Sequence, residues 1–167
     1  MKCQESFIHC PGCRALFPDV EGPTHRYLGA CAGCWTIYGE VLAREYSDPR
    51  YGRVHHLTVD AYSVQHPGKP SPQTIQSIGV HLISLYLALE TDYGPAESPR
   101  IKRRSVENRE LFQWLDPPSP APVLTILDIH AAQNADEHAD RVRRWCHEVW
   151  EMWSEHHAII REWAAAL

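Results

Sequence analysis

No run of this sequence is apolar for long enough to cross a bilayer. Its longest apolar stretch, Ile78 to Leu89, is interrupted by Gly79, His81 and Ser84. A secretory signal is missing as well: Met1-Lys2-Cys3-Gln4-Glu5-Ser6 is polar and leads into cysteines without an apolar core region. These absences predict a cytoplasmic protein with no membrane partner. Thiols stay reduced in that compartment, so cysteine pairs read as metal ligands or redox groups before they read as disulfides. There is no excess of positive charge either. The formal net charge is −5, which argues against nucleic acid as a partner, because phosphate binding needs clustered Lys and Arg. The one basic run, Arg100, Lys102, Arg103 and Arg104, lies beside Glu97, Glu107 and Glu110 and reads as a solvated loop or helix end. Familiar catalytic signatures are lacking: no G-x-S-x-G, no glycine-rich phosphate loop, no H-E-x-x-H. Whether the protein is an enzyme stays open on the sequence.

What is present suits one compact unit. The 167 residues, 44% hydrophobic and 22% charged, are enough for a real core. Residues 1–35 are rich in Cys, Gly and Pro and predict a metal-binding segment of loops with a short hairpin; residues 36–167 predict a helical domain packed with it. A first helix is expected from Cys34 to Tyr46, with Trp35, Tyr38, Leu42 and Tyr46 at helical spacing. Asp48-Pro49 caps and starts a second, with Val54, Leu57, Ala61 and Val64 on one face, ended by Pro67-Gly68. Ser71-Pro72 starts a third through Ile75, Ile78, Leu82, Leu85 and Leu89, stopped by Gly94-Pro95. Residues 95–104 read as polar connection, Ser105–Leu115 as a short helix, 116–122 as an extended proline-rich crossing. Val123–Ile129 is ambiguous between a strand and a helical turn. The last helix should run from an Asn134 cap to about Ala165, with Val142, Trp145, Val149, Trp153, Ile160 and Trp163 on its apolar face and Glu137–Arg141 and Asp140–Arg144 pairs on its surface. The fold class is therefore all-α: a bundle-like core behind an N-terminal, treble-clef-like metal segment.

Cys10-Pro-Gly-Cys13 and Cys31-Ala-Gly-Cys34 are two C-x2-C pairs with 17 residues between them, a spacing that reads as a zinc site. Zinc takes four soft or borderline ligands at tetrahedral corners, about 2.3 Å from each sulfur. A C-x2-C turn points two thiolates to one side, and the start of a helix favours them electrostatically. His25, between the pairs, is also a normal ligand. Cys10, Cys13 and Cys34 are the firm members; Cys31 and His25 compete for the fourth corner. A redox dithiol fits less well, since no βαβ pattern precedes either pair. Cys146 reads as core filler.

Eleven histidines are many for this length. His56 and Asp60 lie one helical turn apart, His66 closes the same helix and His81 edges the third. Together they form a candidate second metal site or acid–base pair, set against ordinary helix contacts and a C-cap. His138 and His156 fall on the apolar face of the last helix, where a polar ring needs a partner.

Several stretches carry a resemblance: Cys-Pro-Gly-Cys-x-Ala-Leu-Phe-Pro (10–18), Gly-Pro-Thr-His-Arg-Tyr (22–27), Gly-Cys-Trp (33–35), Glu-Tyr-Ser-Asp-Pro (45–49), Thr-Val-Asp-Ala-Tyr-x-Val-Gln-His-Pro-Gly (58–68), and the Trp-rich tail with His156-His157. They resemble an uncharacterised bacterial family, a domain of unknown function found in actinobacteria and other soil bacteria. The resemblance covers nearly the whole chain and implies no reaction. It implies Cys10, Cys13, His25 and Cys34 as the ligand set, with Cys31 a bystander, and adds weight to Asp60, His66 and His81. Three readings are open: a module with a structural zinc whose helical body binds a small molecule or protein; a metal-dependent hydrolase or lyase using that zinc or a second metal; and, weakest, a DNA-binding regulator.

Overall fold

A computed structural model describes residues 6–92, 94, 96, 98–119 and 123–167. Cys3, Pro95, Glu97 and the last three residues of the proline-rich crossing, 120–122, lie outside the described residues. The chain begins with a two-stranded antiparallel hairpin, β1 (Phe7–His9) and β2 (Leu16–Pro18), in the register Phe7↔Pro18, Ile8↔Phe17 and His9↔Leu16. Eight α-helices follow among the described residues: α1 (Ala32–Ser47), α2 (Pro49–Gly52), α3 (His55–Gln65), α4 (Pro72–Glu90), α5 (Ser98–Glu107), α6 (Ile126–His130), α7 (Ala135–Met152) and α8 (His157–Ala166). The described residues are thus mostly helical, with a cysteine-rich cluster at the amino end.

The signals that start these helices are local. Asp48 accepts from the Arg50 N–H with Pro49 in the first turn of α2, and Ser71 accepts from the Thr74 N–H at the start of α4. Asn134 accepts from Asp136 and Glu137 N–H at the start of α7. Each occupies a donor that a helix N-terminus leaves unpaired. α3 lies at the centre, packed between α4 and α7, while α1 packs against α6 and α8 against α4. Val54, Leu57, Ala61 and Val64 point inward, as do Val142, Trp145, Val149, Trp153, Ile160 and Trp163.

Five differences from the sequence expectations have physical causes. The second helix is two, α2 and α3, because the backbone turns at Arg53–Val54. The last helix breaks at Trp153, whose indole N–H donates to the Val64 carbonyl at 3.2 Å while a 3-10 turn (Ser154–His156) leads into α8. α5 starts earlier than predicted because Ile101 and Ser105 bury one side of it, Ser105 Oγ donating to the Ile101 carbonyl; Arg100, Lys102, Arg103 and Arg104 face solvent. Tyr46 is exposed, and the inward position beside it belongs to Glu45, whose carboxylate is fully partnered there. On α7, Glu137–Arg141 pairs as predicted, but Arg144 pairs with Glu148 and Asp140 with Arg143. The ambiguous 123–129 stretch is helical: Thr125 and Asp128 close a capping box at the start of α6.

α4 and the segment after α5 meet at a glycine. A Cβ on Gly79 would fall well inside van der Waals contact with Phe112 Cδ1, and Phe112 in turn stacks edge-on against Trp163. Gly79→Ala should therefore cost about 1–3 kcal/mol, the usual range for overpacking. Gly39→Ala, on exposed helix with nothing within 4 Å, should stabilise by roughly 0.5–1 kcal/mol. Urea unfolding of the two variants checks the contrast in sign.

Candidate metal centre

The hairpin makes the first half of the centre. Past β1 the chain turns tightly: the Arg14 N–H donates to the Cys10 carbonyl at 3.0 Å and the Cys10 N–H to the Ala15 carbonyl at 2.9 Å. Arg14 closes this knuckle at φ 64°, in the left-handed region, at a cost of roughly 1–2 kcal/mol for a residue with a Cβ. His9 Nδ1–H donates to the Arg14 carbonyl at 2.8 Å and steadies the turn. Cys10 and Cys13 are thereby carried to the same side, both buried. The first turn of α1 brings Cys34, which is wholly buried.

The fourth group comes from the far end of α3. His66, at its C-cap and 0% exposed, joins Cys10, Cys13 and Cys34 so that one ligand atom from each lies within 4.8 Å of the others. Two features place it there. The chain after α3 bridges the segment before α1 through Leu28↔Pro67, with the Gly29 N–H donating to the His66 carbonyl at 2.9 Å. The knuckle also presses directly on the ring, since a Cβ on Gly12 would clash with His66 Cδ2. Only glycine permits that approach.

The imidazole is oriented for ligation. Its Nδ1–H donates to the Tyr62 carbonyl at 2.7 Å, which leaves the Nε2 lone pair of the neutral ring towards the sulfurs, 3.3 Å from Cys34 Sγ. A ligating histidine normally has its second nitrogen held in this way. Tyr62 contributes again through its hydroxyl, 3.4 Å from Cys34 Sγ and able to donate to it. Its ring stacks on His66 (4.0 Å between centroids) and on Tyr38 (3.8 Å). Burial and the neighbouring sulfurs push the Tyr62 phenol well above its usual value, so it stays a donor.

The protonation chemistry of the group points to a cation. Hydrogen bonds from the Cys13 and Cys34 thiols hold the Cys10 thiol far below its ordinary value, against the cost of burial and with help from His66. The hydrogen bond to Cys10, burial and the Cys10 charge push Cys13 up to about 12 against an opposing hydrogen bond from Cys34, and hydrogen bonds to Cys10 and Cys13 together with burial push Cys34 up as well. Ionising one of these thiols therefore raises the cost of ionising the next. Three ionised sulfurs in one buried pocket require positive charge among them. The arrangement could hold a metal ion.

The other predicted ligands lie elsewhere. His25 is exposed; its Nδ1 accepts from the Tyr27 N–H at 3.1 Å and its ring leans on Trp35. Cys31 is the N-cap residue of α1, buried beside the group but outside it; burial, opposed by the Cys34 backbone N–H, pushes its thiol up, and the Cys10 charge adds to this. The fourth member of the gathered group is thus His66 rather than Cys31 or His25. All five described cysteines, including the core residue Cys146, are free thiols.

With His66 committed here, the remaining second-site residues form a pair rather than a cluster. Buried Asp60 accepts from His81 Nδ1–H at 2.7 Å and from the Ser84 hydroxyl at 2.5 Å. His56 stands partly buried near this carboxylate. Among the described residues, no other set of three or more Cys, His, Asp or Glu donors converges. His138 is wholly buried, and its partner is Glu45: Nε2–H donates to Oε1 at 2.8 Å, while Arg44 donates to Nδ1 at 3.2 Å. Glu45 also accepts from Thr58 at 2.6 Å and His55 at 2.8 Å. His156 lies nearer the surface, with Nε2 2.9 Å from the Asp116 carbonyl.

A family model matches residues 8–154, a span that includes the knuckle, Cys34, His66 and most of the helical core; it is described as a family of unknown function, DUF5946. The chain belongs to that family. Comparison with curated proteins and with solved structures finds no match. The DUF5946 assignment agrees with the resemblance read from the sequence motifs and supplies no reaction, so the site must speak through its own chemistry. Sequence reasoning missed His66 as a partner of the cysteines because it lies 32 residues beyond Cys34, and only the bridge at Leu28–Pro67 closes that distance. The one local signal was the i, i+4 spacing of Tyr62 and His66.

His66→Ala and Cys34→Ser should abolish tight metal retention, while His25→Ala and Cys31→Ser retain it; inductively coupled plasma mass spectrometry on gel-filtered protein reads the difference. A second expectation concerns pH. Burial holds His56 below its ordinary 6.5, so the unfolded chain takes up a proton there before the folded one does. The stability this provides is present above that value and is lost as pH falls towards the folded pKa. Stability should thus begin to decline just below pH 6.5, before the paired carboxylates Glu90 and Glu137 protonate, and His56→Gln should flatten this first limb in denaturant titrations run at stepped pH.

Proposed function

We propose that this protein is a zinc-stabilised helical module: Zn²⁺ is held by Cys10, Cys13, Cys34 and His66 in a structural role, and the helical body binds a small molecule or protein partner. The observation that carries the zinc reading is the convergence of three thiols and one pre-oriented imidazole in a buried pocket. Three sulfurs and one nitrogen are the soft and borderline donors zinc takes, whereas calcium and magnesium take oxygen. The structural role is supported by burial: all four residues are buried, and four protein ligands leave no corner for water or substrate. Such an ion would tie the hairpin, the start of α1 and the end of α3 together, making the amino-terminal segment and the helical body one unit. A catalytic zinc would need an open position. A second metal would need a donor cluster around Asp60, where the carboxylate is already engaged by His81 and Ser84.

Metal removal tests the proposal. Chelation followed by buffer exchange should lower the thermal midpoint by about 10 °C or more, since each kcal/mol shifts a chain of this size by roughly 2–4 °C. Re-addition of one equivalent of Zn²⁺ should restore it. An unchanged midpoint and circular dichroism spectrum after complete metal removal would refute the structural role.

A further inference from the structure

The chain is acidic overall, with a net charge of −5, yet one open cleft has no acidic residue in its lining. This cleft, about 610 Å³, opens between residues 26–29 and the 67–71 turn that leads into α4. That volume falls within the roughly 300–1,000 Å³ typical of small-molecule sites. Two exposed cations stand on it, Arg26 and Lys69. The ion pairs found among the described residues include neither of them. The Arg26 guanidinium lies 5.7 Å from the Tyr27 ring centroid. Pro11, Leu28 and Pro67 give the cleft an apolar wall.

The walls are fixed by the backbone. Leu28 and Pro67 form a β-bridge, and the two strands of chain approach so closely that a Cβ on Gly29 would meet the Pro67 carbonyl oxygen at 2.6 Å and one on Gly68 would clash with the Tyr27 carbonyl oxygen. The cations are thus carried on segments joined to each other and, through His66 and Gly12, to the metal centre. Thr74, 2% exposed, also lines the cleft, with its Oγ1 accepting from the Ser71 hydroxyl at 2.9 Å.

We infer that this cleft binds a phosphate monoester of a small, flat apolar molecule. Arg26 and Lys69 take the phosphate, and the proline and leucine wall covers the ester group. Two cations match a dianion, and guanidinium fits phosphate geometry by a two-pronged hydrogen bond. Apolar surface beside the charges selects an ester over the bare ion, because inorganic phosphate gains nothing from it. This ligand class deepens the small-molecule binding proposed above and rests on that part of the reading.

Isothermal titration of the zinc-loaded full chain with phenyl phosphate, inorganic phosphate and phenol tests it. Phenyl phosphate should bind more tightly than either half alone and weaken as salt is raised. Arg26→Gln and Lys69→Gln, both at exposed positions, should each weaken it by about tenfold, the scale of one charge-assisted hydrogen bond, with zinc content unchanged. Absence of heat with phenyl phosphate at millimolar concentration, equal binding by the variants, or inorganic phosphate binding as tightly as the ester would each overturn the inference. Zinc content and thermal midpoint are read on the same samples. Failure to bind by folded, zinc-loaded protein counts against the cleft alone, and folded protein that never holds zinc counts against the metal centre alone.

Discussion

Like charges crowded into a buried pocket repel strongly, and the amino-terminal half of this molecule is organised around one such pocket. Cys10, Cys13 and Cys34 cannot all ionise side by side without a cation: the first thiolate raises the cost of the next. The fold has nonetheless brought them together with His66 and closed the pocket with a glycine against the imidazole. A divalent ion, as proposed above, resolves the conflict. Each surrounding contact then has a task. The Tyr62 carbonyl fixes the His66 tautomer, the Tyr62 hydroxyl shares the Cys34 charge, and the aromatic stack from Tyr38 through Tyr62 to His66 holds the plane of the ring.

The same four residues connect elements that are far apart in sequence. The hairpin is only two three-residue strands, too little to be stable in water by itself. It gains order by resting its knuckle on the end of α3, and the 27–29 segment gains order by bridging 66–68. Deeper in the body, two buried carboxylates act as comparable pins between helices. Glu45 gathers His55, Thr58 and His138 from α3 and α7, and Asp60 joins α3 to His81 and Ser84 on α4. Buried carboxylates are costly unless each oxygen has a donor, and each oxygen here has one. These networks explain why a chain with eleven histidines places one of them wholly inside without a metal.

Much of the architecture was legible because it rests on local rules. Asp48, Ser71 and Asn134 announce helix starts through their own hydrogen bonds, and the inward faces of α3 and of α7 with α8 follow the 3.6-residue period. What escaped depended on contacts distant in sequence. The break at Trp153 is set by a carbonyl 89 residues earlier. Tyr46 looked like a core residue and Glu45 did not, because a carboxylate's partners on other helices leave no trace in its neighbourhood. The knuckle and Cys34 were readable from spacing, whereas His66 resembled a helix terminus, which it also is. Its ring reaches the sulfurs only because Gly29 and Gly68 let two backbones touch.

Zinc K-edge X-ray absorption on the purified protein reaches the ion itself and counts its ligands by element. Three sulfurs at about 2.3 Å and one imidazole nitrogen at about 2.0 Å make up the four-coordinate shell expected of Cys10, Cys13, Cys34 and His66. A shell of four sulfurs, a shell containing a water oxygen, or protein that carries no zinc at all would contradict a closed centre built from these residues.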